Sequence, residues 1–228
     1  MPRKKQNRGV CVYCGAAYAL GGMLKHLTAC PQRQAAITAA SETAGAKKET
    51  LYLMRVRDVY VSDFWLFLEV LGSSTLQELD QYLRAIWLEC CGHMSQFSFG
   101  GWSGEEISMR RRISGVFKLE DELTHIYDFG TSSETLIKAV GLRTGAATTR
   151  HPIALLARNQ LPEVACQACD QPAAYFCQEC QIEEGESGFL CAEHANDHPH
   201  EDYGGLIALV NSPRVGMCGY RGPAVPPY

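Results

Sequence analysis

Twelve residues of this chain have the types and spacings that hold metal ions. Near the N-terminus, Cys11, Cys14, His26 and Cys30 form C-x2-C-x11-H-x3-C. A two-residue gap lets both thiolates of a knuckle turn reach one ion, and the step from His26 to Cys30 puts the second pair on one face of a helix. Tyr18, Met23, Leu24 and Leu27 supply the apolar contacts a small finger needs, and Gly21-Gly22 is expected to break into the helix that carries His26. Toward the C-terminus, Cys166, Cys169, Cys177, Cys180, Cys191, His194, His198 and His200 offer eight further ligands, with Asp197 or Asp202 able to stand in for either of the last two histidines. A structural zinc takes four Cys or His ligands, so twelve predict three ions per chain and leave only Cys90, Cys91 and Cys218 outside the scheme. Each such ion contributes on the order of 10 kcal/mol that is also folding energy, so both modules are expected to unfold without metal.

Signatures of catalysis are missing. The chain contains no G-x-G-x-x-G, G-x-x-x-x-G-K-[ST], G-x-S-x-G or H-E-x-x-H. Glu89-Cys90-Cys91-Gly92-His93 invites a Cys/His nucleophile, but cysteines at a helix end read as small buried hydrophobes, and Gly92 suits a left-handed helix C-cap. Asp128, in Tyr127-Asp128-Phe129-Gly130, reads as a turn residue accepting backbone N–H bonds. No catalytic residue and no organic cofactor site is therefore assigned. The enzyme alternative, a metal-dependent enzyme acting on nucleic acid, would use an open zinc in the C-terminal cluster or Asp128 with His93 and His125.

With 228 residues, 46% of them apolar, the chain can bury one ordinary core with small satellites. A net charge of −4 and a pI near 6.0 exclude a general nucleic-acid coat, since that affinity comes from many Lys and Arg contacts to phosphate. Local basic patches remain: Arg3, Lys4, Lys5 and Arg8 beside the first cysteine motif, joined by Lys25 in its helix, and Arg110 to Arg112, which reads as a solvated face. The eleven cysteines are odd in number and mostly in C-x2-C pairs with histidines, no apolar run is long enough to span a bilayer, and no export signal core follows the basic start. A soluble, cytoplasmic, metal-binding protein is expected.

The elements that must position these ligands fall into six stretches. Residues 1–30 are the C2HC finger. Residues 31–49, rich in Ala, Thr, Ser and Lys, read as a flexible linker. Residues 50–143 carry two strand-like runs, LYLMRVRDVYV and DFWLFLEVLG, then a helix over 75–88 with Leu76, Leu79, Leu83, Ile86 and Trp87 on one face, capped by Ser73 or Ser74. Short strands follow in SQFSF, EEISMR, LTHIYDF and TLIKAV. Residues 144–163 are a connecting segment, 164–203 the two-zinc module, and 204–228 a Gly- and Pro-rich tail expected to lie extended over another module. The fold class is α+β, a small mixed or antiparallel sheet domain with one main amphipathic helix between two zinc modules.

Two resemblances sharpen this. The C-terminal order of pairs resembles B-box and other cross-braced treble-type zinc domains, which implies one ion on Cys166, Cys169, Cys191 and His194 and another on Cys177, Cys180, His198 and His200; a sequential pairing, with Cys166 to Cys180 as one ribbon, stays open. From Leu51 to Leu142 the chain resembles the Ri-plasmid open-reading-frame-three-like family of insertion-element passenger proteins, through Phe64-Trp65, TLQELDQYLRAIW, CCGHMSQF and YDFG at 127–130. It departs from that family at Leu66 and Phe67, where many members carry two arginines, and at Thr131, Ser133 and Thr135. The layout as a whole resembles a zinc-bearing bacterial subgroup, implying a small α+β unit and a mobile-element or defence association. The expectation is a non-enzymatic zinc-binding adaptor that binds protein through the B-box-like module and nucleic acid through the finger, or else a purely structural subunit of a larger assembly.

Overall fold

A computed structural model describes residues 6–228 of the chain. The elements in chain order are β1 (Arg8–Cys11), β2 (Ala17–Ala19), α1 (Leu20–Ala29), α2 (Pro31–Glu42), β3 (Lys48–Asp58), β4 (Trp65–Leu71) and α3 (Leu76–Leu83). After α3, which a π-type turn extends over Arg84–Leu88, come β5 (Ser95–Ser98), β6 (Glu106–Ile107), β7 (Glu122–Tyr127), β8 (Ser133–Ala146) and β9 (Ile153–Asn159). The C-terminal part adds β10 (Tyr175–Cys177), β11 (Phe189–Leu190), α4 (Ala192–Asn196) and β12 (Leu206–Ala208). Strands β1 to β9 form one antiparallel sheet in the order β2-β1-β9-β4-β3-β8-β7-β5-β6, and β11-β10-β12 form a second. The class is mixed α+β.

The alternation of side chains along β4 explains how the pieces assemble. Leu66, Leu68 and Val70 point to one face and pack with Tyr52, Met54 and Val56 of β3 against the Leu76, Leu79, Leu83, Ile86 and Trp87 stripe of α3. Trp65 and Phe67 point to the other face, where Met23 and Leu27 of α1 and Leu156 of β9 cover them. Burial on both faces is why this strand reads as a continuous apolar run, and Leu66 and Phe67 are both fully buried. Glu69 follows on the finger side, buried between Arg33 of α2 (2.8 Å) and Arg143 of β8 (2.9 Å). Gly9 belongs to the same packing: a Cβ there would collide with the Trp65 ring.

Several expectations are corrected by this arrangement. Residues 31–49 are not a flexible linker, because α2 occupies Pro31–Glu42 and Arg33 anchors it to the sheet through Glu69. The finger is not a separate bead, because β1 pairs with β9. The connecting segment supplies that β9, an internal strand between β1 and β4, so the sheet is large rather than small. Gly21 and Gly22 sit inside the first turn of α1 without breaking it. The cap of α3 is Thr75, not a serine: its hydroxyl accepts from the Glu78 N–H while Glu78 accepts from the Thr75 N–H, a reciprocal capping box. The tail contributes β12 to the second sheet, and its later part lies on the central domain. No helix among the described residues is long and apolar enough to cross a membrane.

Candidate metal centres

In the finger, a knuckle between β1 and β2 closes with Gly15 N–H donating to the Cys11 carbonyl (2.9 Å), Gly15 taking the left-handed conformation that turn needs. This brings Cys11 and Cys14 beside His26 of α1 and Cys30, the residue at the junction of α1 and α2. Cys14 Sγ is 3.3 Å from His26 Nε2, and the Tyr18 ring stacks on His26 with 4.4 Å between centroids. Cys30 thus ends one helix and starts the next rather than lying one turn further along the first.

The C-terminal ligands fall into two interleaved groups, not two sequential ones. Cys166, Cys169, Cys191 and His194 form one, with His194 Nδ1 3.7, 3.5 and 3.2 Å from the three sulfurs in turn. Cys177, Cys180, His198 and His200 form the other, with Cys180 Sγ 3.4 Å from His198 Nε2 and 3.3 Å from His200 Nδ1. Neither Asp197 nor Asp202 joins a group. The second nitrogen of His200 faces Glu184 at 3.3 Å, the kind of carboxylate partner that would orient the imidazole were a metal held by its other nitrogen.

The surroundings of these cysteines shift their thiols in both directions. Burial pushes the Cys11 thiol up to about 11, and burial together with the neighbouring Cys177 pushes Cys180 up to about 12. Cys30, Cys166 and Cys191 move the other way: burial would raise them, but backbone N–H donors hold these thiols below the ordinary value. None of the eleven cysteines is in a disulfide. Each of the Cys/His groups can hold a metal ion, and each supplies four ligand atoms within 4.8 Å of one another.

A fourth group escaped the sequence reading: Cys90, Cys91, His93 and Cys218. Cys90 is half-buried against the main core, but Cys91 is exposed, so the reading of these cysteines as small buried hydrophobes fails for Cys91. Gly92 does take the left-handed conformation, but in the loop beyond the helix, whose C-cap is Glu89. The partner cysteine lies 127 residues away in the tail, too far for any spacing rule to connect. The signal that was available is partial: Cys90, Cys91 and Cys218 were the cysteines left over, and of the three unassigned histidines His93 lies two residues from Cys91.

Of the remaining singled-out residues, Asp128 caps its turn by accepting from the Gly130 and Thr131 N–H groups (3.0 and 3.3 Å). Its other oxygen accepts from buried Arg214 of the tail at 2.6 Å and lies 3.4 Å from His93. Burial alone would raise this carboxyl, but Arg214 and the two N–H donors hold it below the usual carboxylate range. His125 is elsewhere, fully buried with Nε2 2.8 Å from Asp80. The three residues of the enzyme alternative therefore do not converge, and none of them lines the cleft of about 780 Å³ between the central domain and the C-terminal module. Arg8 and Lys25 are exposed, Arg3, Lys4 and Lys5 lie outside the described residues, and Arg110, Arg111 and Arg112 are all exposed as a solvated face would be.

No protein-family model and no curated protein matches the chain. Among solved structures it is similar to the crystal structure of a protein of unknown function from Methanosarcina mazei Go1, at 18% identity and a TM-score of 0.40. That similarity covers 46% of this chain and 66% of the other, and it bears on neither fold nor function.

Proposed function

We propose that this chain is a zinc-dependent, non-enzymatic adaptor of the bacterial cytoplasm, carrying one zinc in the finger and two in the C-terminal module and docking macromolecules on the central sheet domain. The observation that carries the reading is the buried cluster at the heart of the C-terminal module, Cys166, Cys177, Cys180 and Cys191 around Leu190, with Phe176 and Ile207 the other large apolar residues buried there. Apolar burial of that size cannot fold 40 residues, and disulfides are absent. Soft thiolates with imidazoles in sets of four are the donor chemistry of structural zinc, and a full set leaves no position for the metal-bound water that a hydrolase needs.

A protein partner is favoured by the exposed side chains of Tyr60, Trp102 and Phe129. Trp102 packs edge-on against Phe129 at 5.5 Å, and Tyr60 and Trp102 both donate to Glu134 (2.5 and 3.1 Å). Rigid aromatics with a polar anchor suit a protein surface, whereas a central carboxylate repels phosphate. Nucleic acid would instead meet the finger through Arg8 and Lys25. The resemblance of residues 51–142 to the insertion-element passenger family belongs to this reading, as does a mobile-element or defence association. The same aromatic patch favours a second reading, a structural subunit of a larger assembly.

Affinity capture with chemical crosslinking, comparing the zinc-loaded chain with a Trp102→Ser/Phe129→Ser variant of unchanged zinc content, tests the proposal. The adaptor reading expects a captured partner that the variant loses. Self-association of the purified chain that the variant abolishes would support the structural subunit. Nuclease or hydrolase activity that disappears on chelation would overturn both.

A further inference from the structure

We infer that Cys90, Cys91, His93 and Cys218 form a fourth metal site, which takes a thiophilic divalent cation of the zinc class and clasps the C-terminal tail to the end of the α3 helix. The site shares no ligand with the three ions of the proposed function, and it stands or falls separately from them.

Geometry comes first. Cys91 Sγ lies 3.6 Å from Cys90 Sγ, 3.4 Å from Cys218 Sγ and 2.9 Å from His93 Nε2, and His93 Nε2 is 3.3 Å from Cys218 Sγ. A zinc tetrahedron has edges of about 3.8 Å between sulfurs and about 3.5 Å between sulfur and nitrogen. The group is a slightly contracted version of it, on the same scale as the other three clusters. A disulfide, with sulfurs about 2.05 Å apart, is a different arrangement.

The backbone is bent to build this group. Left-handed Gly92 turns the chain between Cys91 and His93, and its N–H donates to Glu89 (2.5 Å), itself held by Arg84 (2.8 Å). Arg84 also donates to the His93 carbonyl (2.6 Å), fixing the loop from its far side. On the tail, Cys218 adopts a φ of 49°, a conformation that resists any side chain. Cys218 and left-handed Gly219 are the central residues of a turn closed by the Tyr220 N–H donating to the Met217 carbonyl (3.0 Å), and this turn presents the exposed Cys218 thiol to Cys91 and His93.

Charge is consistent as well. Three thiolates around a divalent cation carry −1; beside them lie one cation and one anion, the buried Arg214 guanidinium 3.4 Å from Cys90 Sγ and the Asp128 carboxylate it holds, 3.4 Å from His93 Nε2. The clasp would close the wall of the 780 Å³ cleft, which Met217 and Cys218 line. With two exposed cysteine ligands, it is the cluster from which a chelator should take metal first.

Native mass spectrometry of the full chain in zinc-containing buffer tests this, with Cys218→Ser and Cys91→Ser as variants. The wild type should hold four zinc ions and each variant three. A zinc count in both variants equal to that of the wild type, or a wild-type mass two hydrogens light from a Cys91–Cys218 disulfide, would overturn the site, whatever the other three clusters hold. Thiol alkylation keeps the question decidable if a variant fails to fold. In the zinc-loaded wild type, Cys91 and Cys218 should react at least tenfold more slowly than after chelation, and equal rates would refute the clasp.

Discussion

Arg214 is the residue whose loss should say most about how the tail is held. It is fully buried, donates to Asp128 (2.6 Å), the Thr131 carbonyl (2.9 Å) and Ser133 Oγ (2.9 Å), and lies over the Tyr127 ring at 4.9 Å. Arg214→Met keeps most of the apolar volume and strands Asp128, a buried carboxylate without its cation. Breaking a buried pair from one side costs about 3–5 kcal/mol, which is roughly a 10²- to 5 × 10³-fold rise in the opening equilibrium of the tail. Amide hydrogen exchange reads that opening directly at Gly216, Met217 and Tyr220, whose N–H groups are bonded within the tail. The double variant with Asp128→Asn should recover part of the loss, since the stranded charge is gone. Unchanged protection in Arg214→Met, or strictly additive effects across the cycle, would refute the reasoning.

Glu69→Gln leaves Arg33 and Arg143 facing each other without their shared carboxylate, so it should cost on the order of 3 kcal/mol in urea unfolding and release α2 from the sheet. Chelation should melt the two modules unequally: residues 164–208 should lose amide protection, while α1 stays docked, because Met23 and Leu27 pack on Trp65, Phe67 and Leu156 whether or not metal is bound. Asp80 gives a pH test. Burial would raise this carboxyl, but His125, Ser95 and Arg84 hold it below its ordinary value, so its contribution is complete above about pH 4 and is lost as pH falls through the lowered value. The stability gap between wild type and Asp80→Asn should therefore be widest near neutrality and shrink below about pH 4, as chemical denaturation at several pH values would show.

The strands and the main helix were legible because their patterns are local: period two in LYLMRVRD, the three- and four-residue stripe of Leu76 to Trp87, turn residues between. What stayed hidden was set by partners distant in sequence. Helix α2 has almost no amphipathic signal, and it is fixed instead by Pro31 at its start and by Arg33 reaching Glu69. β9 read as part of a connector because its neighbours, β1 and β4, both lie far upstream in the sequence. The C-x2-C pairs announced themselves, since a knuckle is a local turn. The Cys90 group did not, because its fourth ligand is held by the Arg214 anchor, which no spacing in the chain reveals.

The measurement that bears most directly on the account is zinc K-edge X-ray absorption of the full chain as purified. The eight cysteines and four histidines of the three modules predict a four-coordinate, sulfur-dominated shell near 2.3 Å with a minor imidazole contribution near 2.0 Å and no water oxygen; the further Cys90, Cys91, His93 and Cys218 group changes that ratio little. A shell dominated by nitrogen and oxygen, or five-coordinate zinc, would mean open metal positions and contradict the structural, adaptor role.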